Sequence, residues 1–330
     1  MSRGGNAKST VTVLIALGAN LGVAILKLIA GLLSGSAALL SEAAHSVGDT
    51  STQLLLLTAV RRSERPADRK HPFGYGKERY FWALLAAMGV LVSGAAFSVY
   101  EGVRTFIDGG ETTGYVWVNY VVLGLALVFE GTSLLQASRQ VRREAVEHHR
   151  TVPGQLRGAD DPTARAVFAE DFAAVTGILL AAAGVGLHQL TGDAVWDGAA
   201  SIAIGVLLAI VAVLLALTCK VLLIGRQADG RMVRAIRARL AEQPEIDDVV
   251  DLLTMMTGTD MVLLCARVDL VDTYTAGDLE RACVRIDADL HAEFADLDEI
   301  FIQPVPRSDP ELRHRVLRRY GRALTRDARR

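Results

Sequence analysis

Three ionisable residues interrupt an apolar stretch early in the chain: Glu42, His45 and Asp49, within SEAAHSVGDTSTQ. On a helix turning 100° per residue, His45 and Asp49 differ by about 40°, and Glu42 lies on the same side. An imidazole and a carboxylate one turn apart can both reach a single ion. The plainer alternative is a hydrogen-bonded pair that joins two helices; a functional role outweighs it, because charges inside apolar spans mark pathways. A second pair, Glu170 and Asp171, stands in AVFAEDFAAVTG. Adjacent residues on a helix point about 100° apart, so the two cannot both project into one site. One faces it, while the other pairs with a helix neighbour or faces the cytoplasm. One imidazole with two or three carboxylates suits Zn²⁺ and tolerates Mn²⁺, Fe²⁺ or Co²⁺, and the lack of thiolate ligands argues against Cu⁺.

Other polar residues carry less. Asn20 and Lys27 are seven apart, hence on one helix face, and Lys27 either snorkels or balances an acidic site. Glu130, followed by Gly131, Thr132 and Ser133, either lines a path or sits near the cytoplasmic interface. Asp197, just before the last apolar stretch, reads as an N-cap. Asp68 and His71, three apart ahead of Pro72-Phe73-Gly74-Tyr75-Gly76, can share a metal, although a solvated loop is the more economical reading. His148 and His149 lack acidic or cysteine support and read as solvated.

These residues need apolar helices around them, and the composition supplies them. Hydrophobic residues make up 51% of 330, charged residues 22%, and the mean hydropathy is +0.30. That hydropathy is too high for a soluble protein, so apolar blocks and charged segments must be segregated. Six stretches approach the ~20 apolar residues that cross a bilayer: Thr10–Leu33, Ala37–Val60, Phe81–Val103, Val116–Leu135, Ala166–Leu187 and Gly198–Ile224. A soluble bundle fails because runs such as Ile202–Leu217 are apolar all round. The first stretch is too long for a signal-peptide core and lacks a cleavage site, so it stays a span. The link between spans two and three carries Arg61, Arg62, Arg65, Arg69, Lys70, Lys77 and Arg79; that between spans four and five carries Arg139, Arg142, Arg143, Arg150 and Arg157. The link HQLTGDAVWD has no Lys or Arg, so both termini are expected in the cytoplasm. Absence of a targeting segment leads to the expectation of a prokaryotic cell (inner) membrane.

With 35 Lys and Arg against 37 Asp and Glu, no nucleic-acid footprint is present. Cys219, Cys265 and Cys283 form no C-x-x-C pair, which excludes a disulfide framework and a cysteine zinc site. After Gly225 the pattern changes. Ala228–Ala241 reads as a helix, Val249–Met256 and Met261–Leu270 as strands, Leu279 to Phe294 as a helical stripe, and Glu299–Val305 as a third strand. The expected organisation is a six-helix membrane domain (1–225), a ferredoxin-like α-β-β-α-β cytosolic domain (226–306) and a basic tail (307–330) that either touches anionic lipid or is solvated.

Six spans, His45-x-x-x-Asp49, the His71-Pro-Phe-Gly-Tyr-Gly-Lys77 loop and the C-terminal module together resemble the cation diffusion facilitator family over nearly the full length. The resemblance implies a homodimer that exports Zn²⁺ or a similar ion in exchange for protons, and no enzyme. It implies four ligands, a His/Asp-x-x-x-Asp pair from each of spans two and five. The chain departs from that pattern: Ala174 replaces the second ligand of span five, with Glu170 at the first and Asp171 one step off, and Tyr75 stands where a histidine often completes a second metal site. Only His291 remains as a histidine in the cytosolic core. These departures resemble the divergent subgroup with an acidic fifth span. A membrane metal sensor that binds the ion without moving it is the alternative function. A metalloenzyme is weaker still, because no H-E-x-x-H motif accompanies His45.

Overall fold

Six long helices carry the first two-thirds of the chain: α1 (Gly4–Ser34), α2 (Ala37–Ser63), α3 (Glu78–Asp108), α4 (Val116–Glu147), α5 (Pro162–Thr191) and α6 (Val195–Ile224). The computed structural model describes residues 4–109, 116–147, 151–152, 162–306 and 308–320; His148, His149, Arg150, Arg157 and the last ten residues lie outside them. Five of the six are long and apolar enough to cross a membrane. The exception, α2, has the length, 27 residues, but Glu42, His45, Asp49, Arg61 and Arg62 dilute its apolar character. It packs against α1, α3 and α5, which enclose what lipid would not tolerate.

Every helix outruns the apolar stretch that announces it, because a helix ends where its hydrogen bonds end rather than where hydropathy does. In α4 the apolar run stops near Leu135 while the helix continues to Glu147. At 1.5 Å per residue its 32 residues span about 48 Å, beyond a hydrocarbon core of about 30 Å. Arg139, Arg142 and Arg143 therefore ride on a helix and not on a loop.

Inside α3, Val90–Ala96 widens into a π-helical segment, a feature that often sits beside functional sites. Gly48 of α2 approaches it closely: a Cβ there would stand 3.2 Å from Ser93 Oγ. Asp49 is thereby carried on a stretch of α2 held against α3. Glycine also lets α3 and α6 touch backbone to backbone. A Cβ on Gly102 would stand 2.7 Å from the Gly198 carbonyl oxygen, and one on Gly205 2.9 Å from that of Ala95. Ala38, Leu39, Val90, Ala173, Ile178, Ile204 and Leu208 are among the buried core. Ile25, Leu28 and Leu32 of α1 and Ile210, Leu214 and Leu217 of α6 are exposed, the outward apolar faces that a bilayer covers.

The chain divides into two compact units, Met1–Ser63 with Glu78–Val221, and Glu64–Lys77 with Leu222–Arg330. The second contains α7 (Gly230–Ala241), β1 (Ile246–Gly258), β2 (Met261–Leu270), α8 (Ala276–Glu293) and β3 (Leu297–Pro304). Strand order is β1-β2-β3, with β1 antiparallel and β3 parallel to β2. This is the α-β-β-α-β order expected from sequence. Val262, Leu264, Ala266 and Val268 alternate inward and meet Ile236 and Leu240 of α7 and Ile286 and Leu290 of α8. The Asp229 side chain caps α7, and Thr275 with Asp278 forms a capping box on α8.

Two features differ from the sequence reading. β1 begins at Ile246, three residues before Val249, and irregular pairing between Ile246 and Asp248 breaks the alternation that would have revealed it. The tail, read only as basic and either lipid-facing or solvated, contains the helix α9 (Pro310–Tyr320). Asp309 accepts from the Glu311 and Leu312 amides, Leu312 is buried, and Arg319 Nη1 donates to Asp251 Oδ2 at 3.1 Å.

The loop joining α2 to α3 belongs to this second unit. The Phe73 ring meets that of Phe301 edge-on at 6.5 Å, and a Cβ on Gly76 would collide with the Thr257 carbonyl.

Candidate functional site

α2 and α5 bring the site residues together, and their environment is unusual for buried polar groups. His45 is 1% exposed and neither ring nitrogen has a hydrogen-bond partner. Its Nδ1 lies 3.3 Å from Asp49 Oδ1, within ion-pair range, yet the alignment is not that of a hydrogen bond, and Asp49 Oδ1 is likewise left without one. On α5, Glu170 is buried with Oε1 unpartnered. Glu170, Glu130, Lys27 and Glu42 all lie within electrostatic reach of Asp49. Buried polar atoms ordinarily have partners, and leaving one bare costs about 1–3 kcal/mol. Four such atoms lie on neighbouring helices, and one His45 nitrogen with the two carboxylate oxygens can offer lone pairs to a cation.

Among the described residues, no three of His, Cys, Asp and Glu converge tightly enough to hold a metal ion. The donors share a buried region without closing on one point.

The two acidic residues of α5 are placed differently. Asp171 is half-buried and its Oδ2 accepts from Ser133 Oγ of α4 at 2.8 Å. Among the described residues, Glu170 Oε1 has no comparable partner. Glu130 of α4 is buried and within electrostatic reach of Glu42, Asp49 and Asp171. Asn20 stands half-buried on α1.

Glu42 has a partner. Lys27 Nζ of α1, fully buried, donates to Glu42 Oε2 at 2.9 Å and to Ser46 Oγ at 2.8 Å. Of the two roles open to Lys27, the geometry selects charge balance: it does not snorkel. The other carboxylate oxygen, Oε1, presses on α5 at Gly177, where any Cβ would overlap it. Ser46, one turn beyond Glu42, was not singled out in the sequence. The detectable signal was the pairing of a lysine and a glutamate in consecutive apolar spans, since neither charge is stable there alone.

Asp197 lies in the first turn of α6, but it caps another helix: it accepts from Ser36 Oγ at 2.7 Å and the Ala37 amide at 2.6 Å, at the start of α2. The expected N-cap of its own helix is corrected, because the short α1–α2 turn delivers free amides to its carboxylate.

In the loop, Asp68 works as a clasp. Oδ1 accepts from the amides of Lys70 (2.8 Å) and His71 (2.7 Å), and Oδ2 accepts from Tyr75 Oη at 2.8 Å. The Tyr75 hydroxyl, then the His71 amide, hold its carboxyl below the usual carboxylate range. A group whose pKa is lower folded than unfolded contributes above its unfolded value, about 4, and loses that contribution as pH falls through the folded value. Hydrogen exchange of the Lys70 and His71 amides is therefore expected to be slow at neutral pH and to lose its protection in acid. Tyr75→Phe should speed it several-fold at pH 7, and unchanged exchange would contradict the clasp. In the C-terminal module, His291 Nδ1 donates to the Asp287 carbonyl of its own helix at 2.9 Å.

Comparison with known proteins identifies the family. Residues 13–224 match the family described as the cation efflux transmembrane domain. The mitochondrial proton-coupled zinc antiporter SLC30A9 of Mus musculus is 32% identical over 243 residues, 74% of this chain and 43% of that protein. Metal tolerance protein C4 of Arabidopsis thaliana is 32% identical over 236 residues, 72% of this chain and 51% of its own length. The putative transporter MamV of Paramagnetospirillum magneticum is 34% identical over 164 residues, 50% of this chain and 46% of that protein. The chain thus spans about half the length of these relatives. Its α-helical membrane unit, with bare imidazole and carboxylate atoms on α2 and α5, belongs to the cation efflux family of metal transporters, the cation diffusion facilitators.

Proposed function

We propose that the chain exports a divalent cation, Zn²⁺ foremost, from the cytoplasm in exchange for protons, by alternating access at His45, Asp49 and Glu170. The observation that carries this reading is the set of bare polar atoms on two adjacent helices: the His45 ring, one nitrogen of which is free to ligate, with Asp49 Oδ1 and Glu170 Oε1. A cation that enters there gains the partners these atoms lack. The names of the relatives, a proton-coupled zinc antiporter among them, support the ion and the counter-ion.

Proton coupling follows from the ligand types. An imidazole ligates only when neutral and a carboxylate only when ionised, so binding the ion releases protons and proton binding expels it. The donors are unconverged, which suits a carrier: they would close on the ion by movement of α2 against α5, and opening to the other side would need no new ligand. Lys27 engages Glu42 Oε2 and holds it out of the coordination. The functional particle is a homodimer, as the family resemblance implies, in a membrane whose lipid covers the outward faces of α1 and α6.

Within this site, Glu170 is the direct ligand and Asp171 an auxiliary held by Ser133. Glu170→Gln should weaken Zn²⁺ binding by at least ~100-fold and Asp171→Asn by about tenfold, the scale of losing a group that orients a ligand. Titration of the purified dimers checks the ranking, and the reverse order would place Asp171 in the coordination. Zn²⁺ uptake into sealed proteoliposomes tests the function itself. Ion that binds the protein without entering the lumen would make it a sensor.

A further inference from the structure

A second set of polar groups lies at the opposite end of α5. Ser36, Asn119, His188, Gln189 and Asp197 line a cavity of about 160 Å³ between the α1–α2 turn, the start of α4 and the α5–α6 turn. At 1.5 Å per residue it lies about 27 Å from Glu170 along α5, as His188 is 18 residues on, and about 12 Å from His45 along α2. The region is distinct from the donors of α2 and α5 already described. By the distribution of basic residues, it is the end turned away from the cytoplasm.

Its chemistry favours a cation. Asn119 is 2% exposed, lines the cavity, and its side-chain carbonyl oxygen is buried with no donor. Asp197 is 3% exposed, and its carboxylate accepts from Ser36 Oγ and from the Ala37 and Ala38 amides. A carboxylate has about four lone-pair sites, so capacity remains for a further partner. His188, also buried, lies within electrostatic reach of Asp197 and adds an imidazole. No Lys or Arg lines the space. An anion would face Asp197 without a counter-charge, and an apolar ligand would strand Asn119.

We propose that this cavity is a second, weaker site for a divalent cation, held by the His188 imidazole, the Asn119 carbonyl and Asp197. The inference rests on the transport reading above and adds a station to it. One imidazole, one carboxylate and one amide oxygen form an incomplete set for a borderline cation, which must keep water as its remaining ligands. At about 30 Å³ per water the cavity holds roughly five molecules, enough for a partly hydrated ion. An ion leaving the drier donors of α2 and α5 would regain its hydration here before release.

Co²⁺ absorption on the full-length chain in detergent tests this. In His45→Ala, which lacks the main site, one Co²⁺ per chain should still bind weakly. Adding His188→Gln or Asn119→Leu should weaken that binding at least ~tenfold, the lower bound for losing a metal contact. Asp197 is left intact because it caps α2, and Asp49→Asn replaces His45→Ala if the latter fails to fold. Equal Co²⁺ binding with and without His188→Gln, or no residual binding in the His45→Ala chain, would overturn the proposal. Failure of the transport reading shows differently, as absence of Zn²⁺ flux in the unaltered protein with His188-dependent Co²⁺ binding intact.

Discussion

Zn²⁺ flux is expected to fall to background in His45→Ala and in Asp49→Asn, with both variants still folded. The first substitution removes an imidazole and the second a carboxylate charge, while Ser46 is engaged by Lys27 and Glu42 is tied to the same ammonium. Loss of a group that merely orients a ligand costs about 10–100-fold in metal affinity, so loss of a ligand itself should cost at least the upper figure. Stability should change little. His45 is buried with both nitrogens bare, and removing an unsatisfied polar group relieves its desolvation penalty of about 1–3 kcal/mol, against some lost packing. The thermal midpoint in detergent should therefore stay near that of the unaltered protein. Flux retained in folded His45→Ala would remove His45 from the site.

Lys27→Met should be among the most destabilising single changes in the membrane unit. It leaves Glu42 fully buried against Gly177 and Ser46 with no counter-charge. Breaking a buried pair by removing one partner costs about 3–5 kcal/mol, whereas replacing both can be nearly neutral. Lys27→Met/Glu42→Gln should thus recover much of the stability lost in Lys27→Met, read as thermal midpoints on the same detergent-solubilised protein. The pair's function is separable from its stability: Zn²⁺ affinity of the folded double variant should stay within about tenfold of the unaltered protein, because Glu42 is not a ligand in this account. A single variant as stable as the double one would contradict the pairing.

Much of this was legible in sequence, for identifiable reasons. Long apolar runs announce spans because lipid imposes a length, and the i, i+4 spacing of His45 and Asp49 fixes a shared face whatever surrounds it. The C-terminal module was readable from the alternation of Val262, Leu264, Ala266 and Val268 and the stripes of α7 and α8. What was not legible depends on which helix lies opposite. Sequence could not choose between two roles for Lys27, since the choice lies with Glu42 on another helix. The capping of α2 by Asp197 joins residues 160 positions apart. Asp68, read as a candidate ligand or a solvated residue, is a clasp because the loop curls back to bring Tyr75 onto it. α9 was missed because the apolar positions of its stripe, Leu312, Val316 and Tyr320, are few and set among four arginines, and its docking rests on Leu312 and the Arg319–Asp251 pair.

The central claim is that cation and proton compete for the same bare donors and so move in opposite directions. Simultaneous recording of luminal Zn²⁺ and luminal pH in sealed proteoliposomes, with an acidic lumen and Zn²⁺ outside at alkaline pH, tests it most directly. The account predicts Zn²⁺ accumulating in the lumen against its own gradient while the lumen alkalinises, with both signals lost in His45→Ala. Zn²⁺ entry that stops at equal concentrations, with no change in luminal pH beyond that of protein-free vesicles, would contradict it.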